Sequence, residues 1–201
     1  MLDHANLLVV SGLSPVDTDP WQAWLEWRFP RATWVRPLDG DWPDLDRWSA
    51  RIDTALAGGG SRERGLPWLA LGHGFGALAL VRHASHGLRA PDAAILVAPA
   101  DPVRFGQDAA SLGHPLPYPS SLLALQRGPH EASPWLQDAL AREWAGHWRS
   151  GLVEAGAGPT LPPSPWAEGE ALVAAHLQAL HPPARAYAST HPFVGAARLV
   201  P

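Results

Sequence analysis

Cysteine is absent from the 201 residues of this chain. Its absence excludes disulfide bonds, a cysteine nucleophile and a metal site built from thiolates. Lysine is absent too, so arginine supplies all 15 basic side chains, and the net charge is -4. A chain of this charge has no excess of basic residues for nucleic acid or an anionic membrane, and we expect neither as a partner.

The amino-terminal stretch MLDHANLLVV has neither a basic region nor a long apolar segment. Those features mark signal peptides and membrane spans, so we expect a cytoplasmic protein of bacterial type. A chain of 201 residues is long enough to bury the core of one domain. We place that domain at residues 1–180 and treat 181–201, which prolines interrupt, as a carboxyl-terminal tail.

Apolar runs and amphipathic stretches alternate along the chain. Strands are predicted at 7–10, 33–35, 68–71, 93–97, 121–126 and 152–153. Helices are predicted at 20–29, 42–57, from 77 onward, at 135–148 and at 166–180, with Asp41 as the cap of the second helix and a loop over 102–120. Because strands alternate with helices, the sequence predicts an α/β fold with a doubly wound, mainly parallel sheet of about six strands flanked by helices.

The stretch 67–85, PWLALGHGFGALALVRHAS, joins an apolar strand to an apolar helix through a glycine-rich turn. A strand, a tight turn and a helix are the setting of the nucleophile elbow, G-x-S-x-G. In this elbow segment, Gly72–Gly76, Gly74 stands where the serine would be. Glycine reaches the strained backbone of such a turn freely but has no side chain to attack a carbonyl. A plain strand–turn–helix is the alternative, although GHGFG does not match the dinucleotide-binding pattern G-x-G-x-x-G.

Five short motifs occur along the chain in an order that one family shares. They are Val10–Leu13 (VSGL), Trp21-Gln22 with Trp24, Gly72–Gly76 (GHGFG), Leu116–Ser120 (LPYPS) and Pro165–Gly169 (PWAEG). Over residues 5–180 this series resembles the small serine hydrolases similar to retinoblastoma-binding protein 9. The resemblance implies a compact α/β-hydrolase fold without a large lid, and a catalytic triad in the chain order serine, aspartate, histidine.

The resemblance also implies which positions the triad would occupy. The nucleophile falls on Gly74, the acid on Gly128 in QRGP, and the base on Ala157 in EAGA. No histidine lies between His147 and His176, so a small shift of the alignment does not supply a base. A serine hydrolase needs all three groups, because the base activates the serine and the acid orients the base. The leading hypothesis is therefore a pseudoenzyme, without catalytic residues, that is retained for binding a small molecule or a protein.

The binding site that the resemblance implies is made of backbone. The N–H groups of Leu13 and Phe75 fall where the family has the donors of its oxyanion hole, and backbone donors do not depend on side chains. We therefore predict that Gly12, Leu13, Gly74 and Phe75 bind ligand, and that the ligand is a small ester or carboxylate. No cofactor is expected.

A second hypothesis is an active esterase with relocated catalytic residues. Asp101 follows the fourth strand and could act as the acid, and His130, beside Glu131, could act as the base. A helix cap and a solvated loop pair are the ordinary roles of such residues. Three serines on loops or strand edges, Ser14, Ser120 and Ser121, have no evident base.

A third hypothesis is an interaction protein that assembles through the tail, 181–201. This segment contains Phe193, Val194, Leu199 and Val200, and apolar residues near a terminus favour docking onto a sheet edge or a second chain. The sequence leaves the oligomeric state open, and a homodimer is one of the alternatives.

The other histidines do not predict a metal site. His73 lies beside Gly74 and is expected to point into the core. His83 with His86, and Glu143 with His147, are pairs at helical spacing. Zinc normally takes at least three protein ligands, so we interpret both pairs as exposed helix surface and expect no metal.

Overall fold

A six-stranded sheet forms the centre of the molecule. The computed structural model describes residues 5–13, 20–38, 43–58, 65–125, 138–155 and 166–180. Within them the strand order is β2-β1-β3-β4-β5-β6, and every neighbouring pair is parallel. The strands are β1 (Asn6–Val10), β2 (Thr33–Val35), β3 (Trp68–His73), β4 (Ala93–Val97), β5 (Ser120–Leu125) and β6 (Gly151–Ala155). The predicted α/β-hydrolase-type sheet of about six strands is confirmed.

Helices cover both faces of the sheet. They are α1 (Pro20–Arg28), α2 (Leu45–Ala57), α3 (Phe75–His86), α4 (Asp138–Trp148) and α5 (Ala167–Leu180). Helices α2, α3 and α4 share one apolar cluster, to which Trp48 and Trp148 contribute fully buried indoles. Helices α1 and α5 share the second cluster through Leu25 and Val173. This is the doubly wound arrangement, since each face of the parallel sheet is buried under helices.

The second helix begins at Leu45, later than predicted. Its cap is Asp44, whose carboxylate accepts hydrogen bonds from the N–H groups of Asp46 and Arg47, each at 3.0 Å. A capping carboxylate satisfies donors that the first turn of a helix leaves free. The prediction that Asp41 caps this helix was therefore wrong, since the helix begins three residues later and Asp44 is the cap; Asp41 itself lies outside the described residues.

Other predicted boundaries differ where pairing across the sheet decides the strand. The apolar run before the elbow segment stops at Gly72, but β3 continues to His73 because Gly72 and His73 pair with Leu96 and Val97. Helix α3 then begins at Phe75, two positions before the predicted start at residue 77. The predicted loop 102–120 contains two short 3-10 turns, Pro102–Phe105 and Ala109–Leu112.

The register places the ends of β1 and β3 side by side in the middle of the sheet. Val10 pairs with Gly72, so the segments that follow both strands leave the sheet at the same edge and at the same height. Sites of open α/β sheets lie at this carboxyl edge. The tail 181–201, which we separated from the domain, lies outside the described residues.

Candidate active site

The elbow segment makes a sharp turn at Gly74. This residue has φ 56° and ψ -118° between the last residue of β3 and the first of α3. A residue with a Cβ is strained at positive φ, whereas glycine is not. The turn therefore has the backbone of a nucleophile elbow and, at its tip, no side chain.

The two outer glycines let the elbow segment pack closely. A Cβ on Gly76 would overlap the carbonyl oxygens of Val10 and Ser11 at the end of β1. A Cβ on Gly72 would lie 2.8 Å from the Cα of Ala77, inside the helix that follows. Both positions need glycine because backbone, which cannot move aside cheaply, fills the space.

Hydrogen bonds fix the turn to the neighbouring strand. The N–H of Gly74 donates to the carbonyl of Val97 at the end of β4, at 3.1 Å. The carbonyl of Gly74 accepts from the N–H groups of Ala77 at 3.2 Å and Ala100 at 3.1 Å. The elbow geometry is therefore held by backbone and does not depend on a catalytic side chain.

The structure brings the four predicted ligand-binding residues, Gly12, Leu13, Gly74 and Phe75, to the carboxyl ends of β1 and β3. The side chain of Phe75 is buried against Trp48 and Phe105, with ring centroids 5.7 and 5.5 Å away. Its N–H belongs to the first turn of α3. In the described part of the chain, neither this N–H nor that of Leu13 has a hydrogen-bond acceptor.

Such an arrangement can stabilise an oxygen that carries negative charge. Donors at the first turn of a helix, together with the positive end of its dipole, favour a carboxylate or a polarised carbonyl oxygen. Covalent attack needs a nucleophile, which Gly74 does not provide. The described geometry at this edge is suited to binding.

His73 points into the core, as predicted. It is 1% exposed, and its ring lies 5.1 Å from that of Trp21, which in turn lies 5.3 Å from that of Trp166. Gly12 faces the same imidazole, since a Cβ on Gly12 would lie 3.4 Å from Nδ1. The ring of His73 thus packs against Trp21 in the core.

The positions assigned to the acid and base of the triad, Gly128 and Ala157, lie outside the described residues, as do His130 and Glu131. Asp101 is described, and it caps a 3-10 turn: its Oδ1 accepts from the N–H of Val103 at 3.0 Å. Its other oxygen lies 3.8 Å from Nε of Arg104. These contacts match the ordinary role of a capping carboxylate.

Ser121 has a histidine partner that the sequence did not reveal. Its Oγ lies 3.0 Å from Nε2 of His176, so the expectation that Ser121 lacks a base was wrong. The two residues are 55 positions apart, and no local spacing signals their contact. Ser120 points to the other face and pairs with the hydroxyl of Ser150 at 2.6 Å. Ser14 lies outside the described residues.

The helical pairs do not converge on a metal site. His83 is buried and its Nε2 lies 2.9 Å from Oδ1 of Asp53, which corrects the expectation that it is exposed. His86 is exposed, with Nδ1 3.4 Å from the carbonyl of Arg82. No group of three potential ligands occurs among the described residues. Among the same residues, no helix is both long enough and apolar enough to span a membrane.

Glu143 and His147 lie one turn apart on α4, with 3.6 Å between Oε1 of Glu143 and Nε2 of His147. Both side chains are about half exposed or more, as expected for a solvated helix surface.

The parallel sheet, its strand order and the sharp turn between β3 and α3 define an α/β-hydrolase. A family model described as serine hydrolase matches residues 7–161, and the chain belongs to this family. No curated protein matches the chain.

Solved structures share the fold. A YdeN-like hydrolase from Pectobacterium atrosepticum is 30% identical, with a TM-score of 0.71 over 89% of this chain and 94% of its own. Est1E from Butyrivibrio proteoclasticus, solved with ferulic acid bound, is 11% identical, with a TM-score of 0.63 over 88% and 90%. The Bacillus cereus carboxylesterase is 17% identical, with a TM-score of 0.51 over 88% of each chain. The last two comparisons establish the fold alone.

Proposed function

We propose that this chain is a pseudoenzyme of the serine hydrolase family that binds a small ester or carboxylate at its elbow segment. The observation that carries the proposal is Gly74, which has φ 56° at the tip of the elbow and no side chain. The resemblance to hydrolases similar to retinoblastoma-binding protein 9 supports it, since it assigns the acid and base to Gly128 and Ala157. A chain without the nucleophile, the acid and the base retains only what the oxyanion-hole donors and substrate binding contribute.

The binding half of the proposal rests on the donors at the carboxyl edge. The N–H groups of Leu13 and Phe75 have no acceptor in the described part of the chain, and α3 adds its positive dipole end. The missing side chain at Gly74 leaves space where a serine would stand. A carboxylate oxygen satisfies these donors better than a neutral group does, because a charged acceptor makes the stronger hydrogen bond.

The first test is steady-state hydrolysis of p-nitrophenyl acetate and butyrate. The parent chain should match buffer, and Gly74→Ser alone should also stay inactive because it lacks an activating base. The triple variant Gly74→Ser, Gly128→Asp, Ala157→His should gain weak esterase activity. Sustained turnover by the parent chain would overturn the proposal.

The second test is binding, followed by the amide shifts of an isotope-labelled chain. Titration with butyrate should move the amide signals of Leu13 and Phe75, and the neutral analogue butyramide should move them much less. Gly106→Ala is a control, since Gly106 also has positive φ, 65°, but lies at the end of the 3-10 turn Pro102–Phe105; this variant should bind butyrate as the parent does. Shifts confined to other residues would argue against a site at the elbow segment.

A further inference from the structure

A serine and a histidine away from the elbow segment form a hydrogen-bonded pair. Ser121 is the second residue of β5, and its Oγ lies 3.0 Å from Nε2 of His176 on α5. Both side chains are partly buried. Trp166, just before α5, packs against Trp21 near the elbow segment. His176 lies ten residues after Trp166, about 15 Å along the helix axis at the usual rise per residue, so the Ser121–His176 pair is separate from the elbow segment.

The neighbours of Ser121 in the sheet differ on its two sides. Ser121 is in register with Ile95 of β4 and with Gly151 of β6. Ile95 is fully buried, but Gly151 is exposed on the edge strand of the sheet. A Cβ on Gly151 would lie 3.8 Å from the Oγ of Ser121. Because Gly151 has no side chain, it places no side-chain atom against the hydroxyl of Ser121 from the edge strand.

The imidazole of His176 is suited to accept a proton. Burial lowers the pKa of His176 below its ordinary value of 6.5, so the ring is neutral at pH 7. With the proton on Nδ1, the lone pair of Nε2 faces the hydroxyl of Ser121. This is the relation between nucleophile and base that nucleophilic catalysis requires.

We propose that Ser121, with His176 as general base, is a nucleophile that takes an acyl group from an activated ester. The Oγ forms a bond to the carbonyl carbon while its proton passes to Nε2. The bond from that carbon to the leaving alcohol breaks, and Nε2 returns the proton to the leaving oxygen. A fluorophosphonate reacts in the same way: the Oγ–P bond forms, the P–F bond breaks, and the proton leaves with fluoride through solvent.

The acylated serine is expected to persist. Among the described residues no carboxylate hydrogen-bonds His176, so none of them holds the imidazole in place for a second, hydrolytic step once Ser121 is acylated. The reaction is a single acylation and adds no sustained ester turnover. It involves other residues than the elbow segment, so either proposal can fail while the other stands.

The experiment treats the full chain with a fluorophosphonate and maps the adduct by peptide mass spectrometry. The expected result is one equivalent of label on Ser121. Ser121→Ala should remove it, and the matched control Ser120→Ala should not, because Ser120 faces the other side of the sheet and pairs with Ser150. His176→Gln keeps a hydrogen-bonding side chain without a base, and labelling should slow by about a hundredfold, as typical for loss of general-base catalysis.

Gly151→Val tests access without touching the pair. A β-branched side chain suits an edge strand and narrows the approach to Ser121, so labelling should slow while circular dichroism stays unchanged. An unlabelled parent chain, a label on another residue, or equal rates in the parent, His176→Gln and Gly151→Val would each overturn the proposal. Because Gly151→Val leaves both partners in place, the outcome does not depend on whether His176→Gln folds.

Discussion

At Gly74 the chain takes a conformation that a side chain makes costly. The residue has φ 56° and ψ -118°, and its N–H and carbonyl are both hydrogen-bonded to the end of β4 and the segment after it. The surrounding backbone therefore imposes this conformation on whichever residue stands at position 74. Glycine adopts it without strain, whereas a residue with a Cβ would be strained there.

Gly74→Ser should lower the free energy of unfolding by about 1–3 kcal/mol, the usual strain of a non-glycine residue in such a region. Gly106→Ser is the matched control: it has φ 65° and ψ 20°, with nothing within 4 Å of an added Cβ. Gly106→Ser should lower the free energy of unfolding only by the cost of the left-handed backbone region, about 1–2 kcal/mol. Denaturant unfolding measures both, and a Gly74→Ser variant as stable as the parent would show that the turn is not strained.

Gly76 is needed for a different reason, because the first turn of α3 packs closely against the end of β1. Gly76→Ala should lower the free energy of unfolding by about 3 kcal/mol, at the upper end for overpacking, because the new methyl meets the carbonyl of Val10. Gly146→Ala is the control, since nothing lies within 4 Å of an added Cβ on this exposed residue of α4. It should gain about 0.5–1 kcal/mol from helix propensity. Thermal melts of both variants should shift in opposite directions, and equal shifts would contradict this interpretation.

At the scale of elements, a buried histidine joins α2 to α3. Asp53 on α2 accepts from Nε2 of His83 at 2.9 Å, from the N–H of Leu88 at 2.9 Å and from the N–H of Arg89 at 3.3 Å. The carboxylate thus links two helices and the turn that leads to β4. Gly87 is needed beside it, because a Cβ there would overlap the ring of His83.

This link predicts a dependence of stability on pH. Burial alone would raise the pKa of Asp53, but the hydrogen bonds from His83 and Leu88 outweigh it and hold the pKa below its ordinary value of 3.8. The folded state therefore binds fewer protons than the unfolded state, and the stabilisation is present above pH 3.8 and lost as the pH falls through the folded pKa.

Asp53→Asn keeps an oxygen acceptor but removes the charge, so its unfolding free energy should fall less steeply than that of the parent as the pH is lowered below about 4. The control is Asp108→Asn, since Asp108 caps a 3-10 turn and has no histidine partner among the described residues. Denaturant titrations at a series of pH values measure the slopes. A parent slope no steeper than that of Asp53→Asn would show that the link contributes no pH dependence.

For the whole molecule, we propose that residues 1–180 are the folding unit. Both apolar clusters are made of residues between Leu7 and Leu180, and α5 ends at Leu180. A chain ending there should melt within about 2–4 °C of the full chain, which corresponds to about 1 kcal/mol for a protein of this size. A larger loss of melting temperature would mean that 181–201 docks on the domain.

The solution mass of the two chains tests the other role of the tail. If 181–201 assembles two copies, the full chain should sediment as a dimer and the truncated chain as a monomer. If the full chain and the truncated chain contain the same number of copies in solution, assembly through the tail is excluded.

The sequence by itself determined the order of strands and helices and the position of the elbow segment. Apolar runs of strand length separated by amphipathic helices have few solutions other than a parallel sheet, and glycine at 72, 74 and 76 fits a turn that side chains would obstruct. These properties depend on residues that are close together in the sequence, so the spacing of residue types is enough to predict them. The fold and the glycine-rich turn between β3 and α3 were therefore predictable.

Tertiary structure alone decided which distant groups meet. Pairing with β4 extended β3 through two residues that look like turn, and packing of α5 on β5 gave Ser121 the histidine that the sequence did not show. Packing of α3 on α2 likewise buried His83 against Asp53. Contacts between segments 30 and 55 residues apart depend on strand register and helix docking, which act through the whole core. No spacing along the chain encodes them.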